Sequence, residues 1–361
     1  TTVGVTYDPS IPNLPPPERV ASTIASLGIP AVRLVNPSPR AVRAFARSDV
    51  SLLISVPNRL VPVFAVRRAA AVLWVRRHIL PYHPRTRISL ISIGSESISA
   101  AYPDPTLDPS AALLPAVRTI RLALHRFSIR TIPVSAALSF VNAVRNPFPP
   151  SSAEFQEPIG ALLIRPLLQF LEETDSPFLI NIYPIDVYRI RPEIPLGFAL
   201  FQEGRLNYRD DPITGIRYRN LFDMMVDAVS AAMSAYGKQN ISIIVAETGW
   251  PTNGGAGKHS QVYVKGLVEH LRSWRTQRVT EAYIYQLFDE NDNDTARITK
   301  KNSGQTWGIM HPDMKMKFDI EISGSRNLRR NGIFLPLLLA SMFSLQWLRS
   351  AMNLYHYSDC V

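Results

Sequence analysis

Short apolar, β-branched runs recur along the chain, and between them lie longer stretches in which apolar residues return at helical spacing. The runs are Val3 to Tyr7, Ala31 to Leu34, Ser51 to Val56, Ile88 to Gly94, Arg130 to Ala136, Phe178 to Tyr183, Ile241 to Glu247 and Ala282 to Phe288. They read as strands buried on both faces. The intervening stretches Pro16 to Leu27, Val63 to Ile79, Ala111 to His125, Leu162 to Glu173, Asn220 to Tyr236 and Gln261 to Arg275 predict helices. In Asn220 to Tyr236, Leu221, Met224, Met225, Ala228 and Ala232 share one face and read as scaffold packed on the strands.

About eight such alternations predict repeated βα units and a parallel sheet. A chain of 361 residues, 46% hydrophobic, can bury one large core. The expected fold class is therefore α/β: a single (β/α)8 TIM-type barrel over residues 1–322, followed by a C-terminal tail, residues 323–361, that carries a short apolar stretch.

Chemistry in such a barrel sits on the loops at the carboxyl ends of the strands, so ionisable residues ending a strand come first. Two carboxylates meet that condition, Glu96 after the fourth run and Glu247 at the end of the seventh. A carboxylate there is costly to desolvate, and a purely structural role for Glu247 would require a partner such as Arg33. Two carboxyls facing each other across the barrel mouth, one protonated as acid and the other ionised as nucleophile, form the machinery of glycoside hydrolysis. A gap of roughly 5 to 5.5 Å retains anomeric configuration, whereas a wider one admits a water and inverts it.

The formal charge of +10 creates a field that attracts nucleic acid, anionic lipid or acidic polysaccharide. No basic stripe with interleaved aromatics accompanies it, and the pairs Arg67-Arg68 and Arg76-Arg77 read as the solvated face of one amphipathic helix, so no nucleic-acid partner is expected. With Cys360 as the sole cysteine, an internal disulfide and CxxC motifs are excluded. None of the seven His forms an HExxH pair, and His83, His125 and His270 lie in separate segments, so no metal site is expected. The run Gly254 to Lys258 lacks the first Gly of a phosphate loop and has His259 where Ser or Thr is needed, so it reads as a βα loop.

The run Val245-Ala246-Glu247-Thr248-Gly249-Trp250-Pro251-Thr252-Asn253-Gly254 closely resembles the nucleophile signature of plant endo-1,3-β-glucanases, glycoside hydrolase family seventeen. Further blocks look like the same family: Gly4-Val5-Thr6-Tyr7, Asn13-Leu14-Pro15, Val32-Arg33-Leu34, Pro149-Pro150-Ser151, Asn181-Ile182-Tyr183-Pro184, Asn220-Leu221-Phe222-Asp223 and Phe288-Asp289-Glu290-Asn291. The resemblance implies endo-hydrolysis of 1,3-β-glucan with retention, a β-glucan partner, and neither metal nor organic cofactor. By position, Glu247 resembles the nucleophile and Glu96 the general acid/base. Tyr7, Tyr183 and Glu290 resemble residues lining the sugar cleft. Trp250 and Phe288 flank it, with core packing an equal alternative for each aromatic.

Three departures stand out. Ser95 occupies the position before the acid where the family has Asn, a substrate-binding position that contacts the sugar 2-OH; such bonds strengthen in the transition state. After the Glu290 motif this chain has Asn293 and Gly304 where the family has Lys and Glu, and Asp8 stands where Gly is common after Tyr7. Two alternatives to hydrolysis therefore stay open: a barrel that binds β-glucan with little turnover, and transglycosylation to a sugar acceptor.

The resemblance also implies a secreted protein of the extracellular space or cell wall, monomeric by default. The chain opens at Thr1 on an apolar run, without the charged and apolar regions of a signal peptide. Asn240 and Asn293 head N-glycosylation sequons, and Asn293 is the better acceptor if Asn240 enters a buried strand. The small residues Ser323-Gly324-Ser325, a basic run and the apolar stretch Ile333 to Leu348 resemble a GPI-attachment signal. The stretch is short for a transmembrane span, and a helix packed on the barrel is the other reading.

Overall fold

The computed structural model describes residues 1–95, 109–253, 256–273, 278–290 and 305–322. Eight strands close into a barrel: β1 (Thr2–Tyr7), β2 (Ala31–Leu34), β3 (Ser51–Val56), β4 (Ile88–Ser95), β5 (Val134–Ser139), β6 (Phe178–Asn181), β7 (Ile243–Thr248) and β8 (Val279–Ile284). Neighbours in sequence are neighbours in space, every pairing is parallel, and β8 returns to β1. The expected barrel is the one observed.

Helices α1 (Pro17–Ser26), α2 (Pro39–Ala44), α3 (Val61–Val66), α4 (Arg68–His78), α5 (Pro109–Arg126), α6 (Arg165–Glu173), α7 (Leu221–Ala235) and α8 (Ala256–Arg272) occupy the connections. Their starts follow local chemistry. Ser38 caps α2 by accepting from the Ala41 amide, and Asn220 caps α7 by accepting from the Asp223 amide, which spares a buried amide from going unpaired. Among the described residues no helix is long and apolar enough to cross a membrane.

Inside the barrel, Ala31, Leu53, Leu90, Ala137, Leu179, Ile244, Ala246 and Tyr283 form one buried cluster. Strand β1 contributes Gly4 to it, where a Cβ would come within 2.6 Å of the Ala31 carbonyl oxygen and 2.8 Å of the Tyr283 ring. Only glycine leaves room for that ring. The alternate residues of each strand, such as Val3, Val5, Val32, Leu52, Ile54, Ile91 and Ile93, face outward into the larger core shared with the helices.

Several expected boundaries move. Strand β5 begins at Val134 rather than Arg130, because Pro133 has no N–H for the ladder and enters it only as an acceptor from the Ile91 amide at 3.0 Å. Strand β8 runs Val279–Ile284 instead of Ala282 to Phe288; beyond Ile284 the chain turns to the 305–310 segment, with the Gln286 amide donating to the Trp307 carbonyl at 3.2 Å. The single helix expected over Val63 to Ile79 is two, broken at Arg67, whose φ of −119° and ψ of 88° are not helical. Arg67, Arg68, Arg76 and Arg77 are nonetheless all exposed. Strand β7 starts two residues later than expected, which leaves Asn240 in an exposed turn and removes the reason for preferring Asn293. Asn293 and the tail 323–361 lie outside the described residues.

Candidate active site

Two residues beyond the apolar cluster, the inward positions turn polar: Arg33 follows Ala31, Ser55 follows Leu53, Ser92 follows Leu90, Ser139 follows Ala137 and Asn181 follows Leu179, all buried. The strand period alone creates this second layer at the carboxyl end of the barrel. Glu247 does not obey that period, since it sits an odd number of residues from Ile244. The pairing of β7 slips between Val245 and Glu247 against β6, and between Val245 and Thr248 against β8. That bulge turns Glu247 inward, so Ala246 and Glu247 both face the interior. Strand β4 slips likewise between Ser92 and Ser95, and Gly94 adopts a φ of +70° there, a conformation that disfavours any residue with a Cβ.

The two bulges bring Ser95 and Glu247 together. The Ser95 hydroxyl donates to Glu247 Oε1 at 2.9 Å, and Arg33 Nη1, from across the barrel, donates to the same oxygen. Asn181 Nδ2 donates to Oε2 at 3.0 Å and the Tyr183 hydroxyl donates to Oε2 at 2.8 Å. Glu247 is only 7% exposed and Arg33 fully buried, so this ion pair acts with little solvent screening. Four donors, one of them cationic, favour the ionised carboxylate. The partner a structural role would require is thus present, but among the described residues Arg33 bonds through Nη1 alone and its buried Nε and Nη2 have no acceptor. A pair built for stability would use the whole guanidinium fork.

Supporting groups extend outward. The Asn58 side chain clamps the end of β4, accepting from the Ser95 amide at 2.8 Å and donating to its carbonyl at 2.9 Å. Tyr183 meets Trp307 edge-on at 5.4 Å between centroids and Tyr285 at 6.2 Å, and the Tyr285 hydroxyl donates to Glu290 Oε1 at 2.9 Å. Glu247, Tyr183, Tyr285 and Glu290 thereby form one connected wall. Asp289 beside it accepts from the Gly308 amide at 2.7 Å and pairs with Lys317 at 2.5 Å, which fastens the 305–310 segment over β8.

The remaining described candidates are held by core packing and local hydrogen bonds. Tyr7 and Phe288 pack edge-to-face at 6.1 Å within the outer core, and burial, then the neighbouring Asp8 charge, pushes the Tyr7 phenol well above its ordinary range. Trp250 is 2% exposed, sandwiched with Tyr188, Tyr263 and His259, so its ring is wall packing. Asp8 receives the Ser10 amide and Asn36 Nδ2, both at 2.8 Å, and ties two loops together. Glu96 and Gly304 lie outside the described residues, as does the run Gly254-Gly255. Among the described residues no His/Cys/Asp/Glu cluster could hold a metal. Sequence reading missed Asn181, Asn58, Tyr285 and Trp307 as site residues; Asn181 ends an apolar strand, the same signal that marked Glu247.

A family model described as glycosyl hydrolases family 17 matches residues 3–322. Glucan endo-1,3-beta-glucosidase 13 of Arabidopsis thaliana is 32% identical over 90% of this chain and 64% of its own length. Glucan endo-1,3-beta-glucosidase GI of Hordeum vulgare is 31% identical over 88% of this chain and 99% of its own length. The chain spans 60 to 64% of the length of the first curated relatives it matches. Among solved structures, CJP38, a beta-1,3-glucanase and allergen of Cryptomeria japonica pollen, superposes with a TM-score of 0.81 at 31% identity, covering 90% of this chain and all of that one.

Proposed function

The chain belongs to glycosyl hydrolase family 17, and on that premise we propose that it hydrolyses internal 1,3-β-glucosidic linkages of a β-glucan with retention of configuration. The observation that carries this reading is the buried Glu247 carboxylate, turned into the barrel mouth by a bulge and held by donors on both oxygens. Glu247 attacks the anomeric carbon while Glu96 gives its proton to the leaving oxygen and the glycosidic bond breaks. Glu96, now ionised, takes a proton from water, whose oxygen displaces Glu247 and releases the sugar. Tyr183 and Glu290 line the cleft. The protein works in the extracellular space, where it meets polymeric glucan.

One feature supports a second reading, a glucan binder with little turnover. A carboxylate offers about four lone-pair sites, and four donors already engage Glu247. Attack requires one to let go, and the Ser95 hydroxyl, a free rotor, is the one that can. The two readings separate in one assay. Reducing-end release from a soluble 1,3-β-glucan by the full chain, abolished in Glu247→Gln, supports the hydrolase. Glucan binding without turnover in the parent, with turnover appearing in Ser95→Asn, establishes the binder and overturns the hydrolase.

A further inference from the structure

Charge is unevenly placed around this barrel. From Val50 to Ala153 the acidic residues are only Glu96, Asp104 and Asp108, while arginine recurs throughout, and no lysine occurs before Lys238. Helices α4 and α5 carry Arg68, Arg76, Arg77, Arg118 and Arg126 on their exposed faces, and Arg130 follows α5, exposed as well. Among the described residues none of these six has an ion-pair or side-chain hydrogen-bond partner, whereas exposed Arg40, Arg145 and Arg217 elsewhere each hold a carboxylate. The charge is felt locally: burial, then Arg121 and Arg130, holds the His125 imidazole below its ordinary range, and burial and Arg77 do the same for His78.

We propose that this band binds a carboxylated polysaccharide, a polyuronate chain, at a site separate from the Glu247 mouth. Three observations select that partner. All of the cations are arginine, whose planar fork grips a carboxylate through two parallel bonds. The band is elongated: Arg68 and Arg76 lie eight residues apart on α4, about 12 Å along its axis at 1.5 Å per residue, and α5 packs beside α4. A linear polymer can follow such a band along the helix axis. The exposed large apolar residues on these helices are Leu73 and Leu122, one to each helix, too few for an inserting face. The inference goes beyond glucan hydrolysis and does not depend on it. Its consequence is retention of the protein on an acidic matrix with the mouth unobstructed.

The test is affinity electrophoresis of the full chain through gels containing polygalacturonate, with neutral dextran gels as the blank, at low salt and again at about 0.5 M salt, where exposed charges are screened. Strong retardation by polygalacturonate is expected, lost at high salt and weakened about tenfold or more in Arg76→Glu/Arg77→Glu/Arg126→Glu. An equal charge change elsewhere, Arg205→Glu/Lys265→Glu/Lys315→Glu, should weaken it less than about threefold. Unchanged melting by circular dichroism verifies folding, and Arg76→Gln/Arg77→Gln serves if the triple variant fails to fold. Absence of retardation in the parent overturns the proposal. Equal weakening by both triple variants overturns it too, since net charge alone would then explain binding. Sedimentation with phosphatidylserine vesicles but no retardation by polygalacturonate would make the band a membrane surface and overturn it likewise.

Discussion

Two layers of side chains fill this barrel, separated by two residues along β1 to β6, with Glu247 brought into the upper one by the bulge in β7. The lower one, with Leu53, Leu90, Leu179 and Ile244, is apolar and closely packed, and its one polar atom, the Tyr283 hydroxyl, donates to Glu281. The upper one, with Arg33, Ser55, Ser92, Asn181 and Glu247, is as deeply buried and yet polar. Thr6 Oγ1, Ser55 Oγ and two nitrogens of Arg33 find no partner there, a cost of about 1–3 kcal/mol for each orphaned group. Stability alone would have continued the lower layer upward. The contrast separates what closes the barrel from what the barrel is for, and substitutions in each layer should give opposite signatures.

The largest effect is expected at Glu247. Glu247→Gln keeps the side-chain shape and removes the nucleophile, and kcat on a soluble 1,3-β-glucan should fall about 10⁴-fold or more, roughly 5.5 kcal/mol of transition-state stabilisation. Steady-state reducing-end assays decide it; a fall of less than about tenfold would place the chemistry elsewhere. Next comes Arg33→Met, which leaves Glu247 as a buried charge without its cation. A loss of about 3–5 kcal/mol in urea unfolding is expected, together with a fall in kcat, because the carboxylate then holds a proton more readily. Activity that survives Arg33→Met at neutral pH would show that Asn181 and Tyr183 suffice to keep Glu247 ionised.

Leu53→Ala probes the lower layer. It removes a fully buried leucine and should cost about 2–5 kcal/mol of stability while leaving KM and kcat within about twofold at temperatures where the protein stays folded. Loss of activity without loss of stability would mean that the two layers are mechanically coupled and the comparison false.

What the sequence made legible follows the same division. Strands β2 and β3 fall where their apolar runs do, because burial on both faces leaves short, largely aliphatic runs interrupted only by Arg33 in β2 and by Ser51 and Ser55 in β3. Strands β5 and β8 moved by three or four residues, since their ends are set by which neighbour accepts a bond: Pro133 cannot donate, and Gln286 turns to Trp307. Glu247 stood out because a carboxylate closing an apolar run needs a reason to be there. Its orientation did not, for strict alternation sends it outward with Val245, and the bulge that reverses it is a property of pairing with β6 and β8. Trp307 reaches the site from a segment remote in sequence, so only tertiary contact could reveal it. Trp250 illustrates the converse, because an aromatic after a catalytic-type Glu fits stacking and packing equally until its neighbours Tyr188 and Tyr263 are known.

The smallest effect sharpens the comparison most, because Asp211 is a buried carboxylate that also collects four donors but lies off the barrel. It accepts from the Ser151 amide at 3.0 Å and hydroxyl at 2.9 Å, and from the amides of Ile213 at 2.9 Å and Thr214 at 3.1 Å. Burial alone would raise its pKa, but these bonds outweigh it and hold the carboxyl at about 2. Its donors are mostly backbone amides of its own turn and of the Pro150-Ser151 segment, whereas those of Glu247 are side chains from β2, the end of β4 and the end of β6 aimed at one point. Because the folded pKa is depressed, the stabilisation is complete above the unfolded value near 3.8 and is lost as pH falls toward 2. Asp211→Asn should therefore cost about 1–2 kcal/mol near neutral pH, with the two proteins converging in melting temperature between about pH 4 and pH 2. Hydrolysis should stay within about twofold of the parent, since the partners of Asp211 among the described residues, Ser151, Ile213 and Thr214, are not part of the Glu247 site. A large fall in kcat with intact stability would show that four donors around a buried carboxylate do not distinguish a loop anchor from a nucleophile, and that only the direction in which Glu247 faces does.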